Sequence, residues 1–416
     1  MRTITLQNGI KLHYIDGEKF KTFSLGIYFF RPLSRSEATQ NALLSQVMKS
    51  GCEKYPTRKE IAQHLELLYG AGMGIGVRKK GEAQILSFSF EALRDEFTGE
   101  NTTDKILDFA QQVIYHPKIS DGAFDEADVE IEKVNLRNYI LSMMNDKREF
   151  ANRRLTEIMC AEELYGISDL GVLEDIPTIT AKKLCDHYRN VVSTSRIEIF
   201  VCGDVDENKI ANCFGQVACG TEMAKTERSP MPAQLNTVEE SFDVTQGKLV
   251  IGFKTDYDLM GDAFFDLMVF NSVYGSGTHS KLFNNVRERL SLAYYAYSRI
   301  IKQKGIMMVA TGIEFDKYEP AKTEIFAQLE AMCNGDVTEQ EMRFAKNSII
   351  NAYRSLKDSP PQIEDYYLMQ ILAGDVYIID QAIEKIENVK MENVIKAAKS
   401  FRADTIYFLK GGAHAV

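Results

Sequence analysis

Along residues 40–71, QNALLSQVMKSGCEKYPTRKEIAQHLELLYGA, apolar side chains recur at helical spacing. Leu43, Leu44, Val47 and Met48 fall at i, i+1, i+4 and i+5, one apolar stripe. Gly51 marks the end of this helix, and Thr57 with Glu60 forms a capping-box signature for a second. The first helix carries no acid, histidine or cysteine. It is either plain scaffold or an active-site helix without its chemistry.

Elsewhere the pattern runs the same programme twice. KTFSLGIYFF (21–30) and KLVIGFKTD (248–256) read as buried strands. After the first come the helix pair above and the strand AQILSFSFEA (83–92). After the second come a helix at 262–274, a helix around Leu282–Leu290 and the strand GIMMVATGIEF (305–315). Helices at 104–116 and 321–333 follow. A long amphipathic helix then lies within 123–159 in one half and within 337–356 in the other. Each half closes on a helix and a strand, RIEIFVCGD in the first and DTIYFLKGG in the second. Matching elements are offset by roughly 210–225 residues, a period that means domain duplication and not a solenoid. The stretch 219–240 has prolines, charges and no periodicity, and reads as a linker. The expected fold class is α+β: one domain over 1–218 and a second over 241–416, each a sheet covered by helices. Two such halves can face each other across a cleft.

Composition narrows the function classes. Of 416 residues, 45% are hydrophobic and 26% charged, as in a globular protein, and the length favours two or more domains. The net charge of −10 and the lack of long basic runs argue against nucleic acid and suit a neutral or weakly cationic partner. Seven cysteines without a CxxC favour free thiols in a reducing compartment. No window is apolar enough to span a membrane and the start has no export pattern, so the cytoplasm is the expected location.

The chemistry on offer is sparse. His13, His64, His116, His187, His279 and His414 read as isolated surface or half-buried imidazoles, with no metal-ligand spacing among them. GAGMGIG (70–76) follows a helix, so it is no dinucleotide loop. It reads as an open glycine-rich strand that another backbone approaches closely. The most informative segment is YGSGTHSKLFNNVRERLSLAYYAYS (274–298). A glycine-rich turn enters a helix with Leu282, Phe283 and Val286 on one side, and Arg287 precedes a loop and an aromatic strand. Taken alone, Arg287 is a solvated helix residue and Tyr294 a core aromatic.

Ser280-Lys281-Leu282-Phe283 and Arg287-Glu288-Arg289-Leu290-Ser291-Leu292-Ala293-Tyr294 closely resemble the second-domain signature of the M16 (insulinase, or pitrilysin-like) metallopeptidases. The resemblance extends over the whole chain. It implies two duplicated LuxS/MPP-like metallohydrolase domains, each a mainly antiparallel sheet covered by helices. Lys49-Ser50-Gly51-Cys52 and Tyr55-Pro56 match the turn after the family's HxxEH helix. By that match the two zinc histidines fall on Ala42 and Gln46 and the general base on Ser45. Glu132 fits the family's earlier glutamate, and the third zinc ligand falls on Tyr139, with Asn138 the alternative. All four catalytic positions are therefore lost, and alanine and glutamine cannot replace two imidazoles on zinc. The resemblance also makes strand 72–79 the peptide-binding edge, with Gly72, Gly74 and Gly76 exposing backbone and Ile75 and Val77 lining one pocket.

Arg287 and Tyr294 remain. The pattern is most similar to the non-catalytic bacterial subunits of heterodimeric members, which contribute the Arg/Tyr pair to substrate while an HxxEH-bearing homologue holds zinc. No cofactor is expected in this chain, and the expected substrate is a peptide or unfolded polypeptide. A second reading is a pseudoenzyme that binds peptides or scaffolds an assembly, in that branch one associated with modification of elongation factor P. A third is a peptidase acting alone through another metal site.

Overall fold

The computed structural model describes residues 1–203, 205–221 and 225–412; His414 and positions 222–224 of the expected linker lie outside the described residues. The chain divides into two compact units. The first comprises Met1–Ser142, Ile167–Lys225 and Ser359–Leu368; the second comprises Met143–Gly166, Thr226–Asp358 and Met369–Val416.

The first unit is built on six strands: β1 (Arg2–Thr5), β2 (Lys11–Ile15), β3 (Thr22–Pro32), β4 (Gly72–Lys80), β5 (Ala83–Leu93) and β6 (Arg196–Cys202). Their order is β1-β2-β6-β3-β5-β4. Only β2 and β6 pair in parallel. Strand β3 is buried on both faces from Phe23 to Arg31, which is why its sequence is apolar without alternation. Strand β4 is the outer edge, half exposed and rich in glycine. Helices α1 (Ala38–Val47), α2 (Arg58–Leu67) and α3 (Glu126–Ser142) belong to this unit.

The second unit has five strands: β7 (Asn236–Phe242), β8 (Gly247–Thr255), β9 (Ala293–Ile301), β10 (Ile306–Ile313) and β11 (Phe401–Gly411), in the order β9-β10-β8-β11-β7. Again one pair, β7 with β11, is parallel and the rest are antiparallel. Starting from β2 and from β7, the two sheets follow the same path. The duplication therefore pairs β4 with β9: the glycine-rich edge and the Tyr294-bearing edge are equivalent strands.

Three expectations need correction. The stretch 219–240 is not linker throughout, because β7 begins at Asn236. This edge strand needs few apolar residues, since backbone pairing with β11 and the packing of Val238 and Phe242 on the core hold it. The long helix expected within 123–159 is two, α3 and α4 (Lys147–Met159), because the Asp146 carboxylate accepts the amides of Arg148 and Glu149 and starts a new helix. The imidazoles are not all at the surface: His13 and His187 are buried.

Helix α4 belongs to the second unit, where Ala151 and Leu155 join the core of Val250, Met308 and Tyr407. A Cβ on Gly252 of β8 would lie 2.6 Å from Met159 Sδ, so glycine permits the helix to sit this close. The reciprocal segment, Ser359–Leu368, opens the helix Pro360–Ala373 and belongs to the first unit. There a Cβ on Gly26 of β3 would lie 2.6 Å from Glu364 Oε2. Each half of the sequence thus lends one helical segment to the other half's sheet. A linear division at 219–240 differs from this grouping in those two segments.

Candidate functional site

Helix α1 is buried on nearly every side, and Leu43, Leu44, Val47 and Met48 all lie in the core as their spacing predicts. The helix proper ends at Val47, ahead of Gly51. Its polar residues are satisfied internally. Asn41 Nδ2 donates to Gln84 Oε1 at 2.8 Å, and His187 Nε2 meets Asn41 Oδ1 at 2.8 Å. Burial pushes the His187 imidazole down to about 4, so it is neutral at physiological pH. At α2, Thr57 Oγ1 accepts the Glu60 amide at 3.2 Å, as the capping signature predicts.

Of the positions matched to zinc and base, Gln46 and Tyr139 line a cavity of about 530 Å³ in the first unit, together with Lys49, Arg58, Glu132 and Asn135 and with β4 along one side at Ile75, Gly76 and Val77. Ala42 is fully buried and has no donor atom. Ser45 is also fully buried, and its hydroxyl donates to the Ala42 carbonyl at 2.8 Å, which leaves it unable to activate water. Gln46 offers a neutral amide. Tyr139 is 53% exposed, and Asn138 is also exposed. The buried Glu132 carboxylate is taken by the Arg58 guanidinium and by Asn135 Nδ2 at 3.1 Å. This donor set does not fit zinc, which needs three imidazole, thiolate or carboxylate ligands. Among the described residues no group of three His, Cys, Asp or Glu is placed to hold a metal ion.

What occupies the site instead is positive charge. Lys49 is half-buried, and its ammonium donates to the Gln46 side-chain oxygen at 3.1 Å. Burial and the neighbouring Arg58 both push its pKa down. Neither Lys49, a landmark of the turn after the helix, nor Arg58 is assigned a role by its sequence context. The signal was present in part: Arg58 follows the cap Thr57, so it begins the helix, α2, that leads on to β4.

The second unit carries the Arg/Tyr signature. Residues Leu282–Arg289 form a π-helix, α6 in a count that includes α5 (Asp262–Tyr274). Its widened turn takes Phe283 out of the buried stripe that Leu282 and Val286 keep. Arg287 lies over the Phe283 ring at 4.6 Å and 3.5 Å from Glu288. Tyr294, on edge strand β9, is 57% exposed and is no core aromatic; its hydroxyl donates to Glu314 Oε1 at 3.0 Å. That bond raises the tyrosine pKa. Between the two, Ser291 adopts φ +48°, in the left-handed region that non-glycine residues rarely occupy.

Residues 178–349 match the family model described as the peptidase M16 inactive domain. Over 409 residues the chain is 33% identical to the "probable inactive metalloprotease YmfF" of Bacillus subtilis (strain 168), covering 97% of this chain and 96% of that one. A crystal structure of a protein from Enterococcus faecalis V583 superposes with a TM-score of 0.92 at 30% identity, covering 99% of this chain and 98% of that one. A protease from Helicobacter pylori shares the fold, with a TM-score of 0.79 at 15% identity and coverage of 98% and 99%. The emptied helix, the duplicated sheets and a relative one-third identical over nearly the full length agree: the chain belongs to the peptidase M16 family, as a member without HxxEH.

Proposed function

We propose that this chain is the non-catalytic member of a two-chain M16-type assembly. It holds an extended peptide along the edge of β4, and it contributes Arg287 and Tyr294 to a zinc site carried by an HxxEH-bearing homologue. One observation carries the reading: the first-half helix lacks every metal and base residue, while the Arg/Tyr pair stands exposed on the second unit. Zinc bound by the partner supplies the Lewis acid and the activated water. This chain's guanidinium offers two parallel donors to a peptide carbonyl or carboxylate, and the Tyr294 hydroxyl stabilises the oxygen that gains charge. Glycines at 72, 74 and 76 leave the β4 backbone accessible for strand addition, with Ile75 and Val77 beside it.

The test is cleavage by the reconstituted pair. Arg287→Ala or Tyr294→Phe lowers the rate by about 10²–10³ while leaving assembly intact. Full activity with both variants rejects the reading. A second reading, a peptide-binding scaffold without proteolysis, is favoured by one fact: Tyr294 and Arg287 both already have local partners in Glu314 and Glu288. It predicts that the peptide binds but no partner turns it over. In either case the chain alone, prepared without chelator, contains far less than one zinc per molecule by elemental analysis.

A further inference from the structure

The cavity beside β4 holds two cations and one carboxylate. Glu132 is committed to Arg58 and Asn135. Lys49 has no carboxylate within ion-pair distance among the described residues, and its ammonium donates instead to the neutral amide oxygen of Gln46. The Glu132 carboxylate acts on the Lys49 ammonium only through space while it bonds Arg58, so one carboxylate serves two cations and a second anion would balance them. Space for one exists, since the cavity measures about 530 Å³ and is bordered by Gly76, which contributes no side chain. We propose that this cavity takes a carboxylate from the peptide that pairs with β4, held by Lys49 Nζ and the remaining N–H groups of Arg58.

The inference rests on the strand-addition reading and specifies its substrate class: peptides with an acidic group at the position facing Gly76. A net charge of −10 disfavours acidic peptides at long range, so the preference is local and confined to one residue of the ligand. The carboxylate belongs either to an Asp or Glu side chain or to a chain terminus.

Fluorescence anisotropy on the full chain decides the matter, with four labelled nonapeptides of one threonine- and alanine-rich sequence. The central residue is Glu or Gln, and each peptide is made as the free acid and as the C-terminal amide. The expected result is binding about tenfold tighter for a peptide bearing the carboxylate. An advantage of Glu over Gln in the amides identifies a side chain; an advantage of acid over amide in the Gln pair identifies a terminus. The advantage shrinks with salt, disappears in Lys49→Met and persists in Lys49→Arg, which also shows that the site still folds. Equal binding of all four peptides, or an advantage that survives Lys49→Met, overturns the carboxylate site and leaves strand addition standing. No binding by any of the four overturns strand addition and this proposal with it.

Discussion

Glu364 illustrates how much one side chain depends on where its segment is placed. It is 3% exposed, accepts the Ser24 hydroxyl on one oxygen and the Tyr28 hydroxyl at 3.1 Å on the other, and faces a glycine. Burial raises its carboxyl to about 7 from an ordinary 4.5. The folded chain therefore binds a proton that the unfolded chain releases. The stabilisation this gives is complete below pH 4.5 and is lost as pH rises through 7. In Glu364→Gln that loss is absent. Between pH 4.5 and 8 the wild type loses stability relative to the variant by roughly 2–3 kcal/mol. Urea titrations of both proteins across that range check it, and parallel curves would refute it. Residues such as this one mark where sequence reading stops. Ala42, Ser45 and Gln46 were legible because a motif defines what should stand there. Lys49, Arg58 and Glu364 were not, because a charge in a sequence does not reveal whether its counter-charge lies nearby.

At the scale of elements, the segment from α6 to β9 is the most specialised. A π-helix ends on Leu290, whose amide bonds to the Asn285 carbonyl at 3.2 Å, and the chain then turns through Ser291 into the edge strand. A non-glycine residue at φ +48° is strained by about 1 kcal/mol. Ser291→Gly relieves that strain but adds freedom to the unfolded chain, for a net stabilisation of about 0.5 kcal/mol. Ser291→Val is worse than serine by about 1–2 kcal/mol, because a branched Cβ crowds this conformation most. Thermal melts give the order Gly, Ser, Val; any other order shows that the turn relaxes. Strands with continuous apolar runs, β3, β8 and β10, and the alternating β5 were readable directly. Strand β7 was not, since NTVEESF is mostly polar and is held by its neighbour's backbone. The equivalence of β4 and β9 also escaped the sequence, because one edge is glycine-rich and the other aromatic.

For the whole molecule, the exchange of segments changes what counts as a half. The apolar face of α4 states that it must be covered, not which sheet covers it, so no local pattern could assign it to the second unit. Cutting the chain between Lys225 and Thr226 leaves residues 1–225 without Ser359–Leu368, and 226–416 without Met143–Gly166. Neither fragment expressed alone gives a cooperative melt, because each exposes a core face that ~25 cal/mol of burial per Å² would otherwise stabilise. Co-expression of the two fragments restores one transition. A sharp melt from 1–225 alone would show that the borrowed segment is dispensable.

The same exchange sets a timetable for synthesis. The first unit is encoded almost entirely before residue 226, yet it is not complete until Leu368 has left the ribosome. During that interval its sheet emerges with one face uncovered, including Gly26 and the pocket that later receives Glu364. A nascent chain in that condition is a natural client for a holding chaperone, and it gains its last native contacts only near the end of translation.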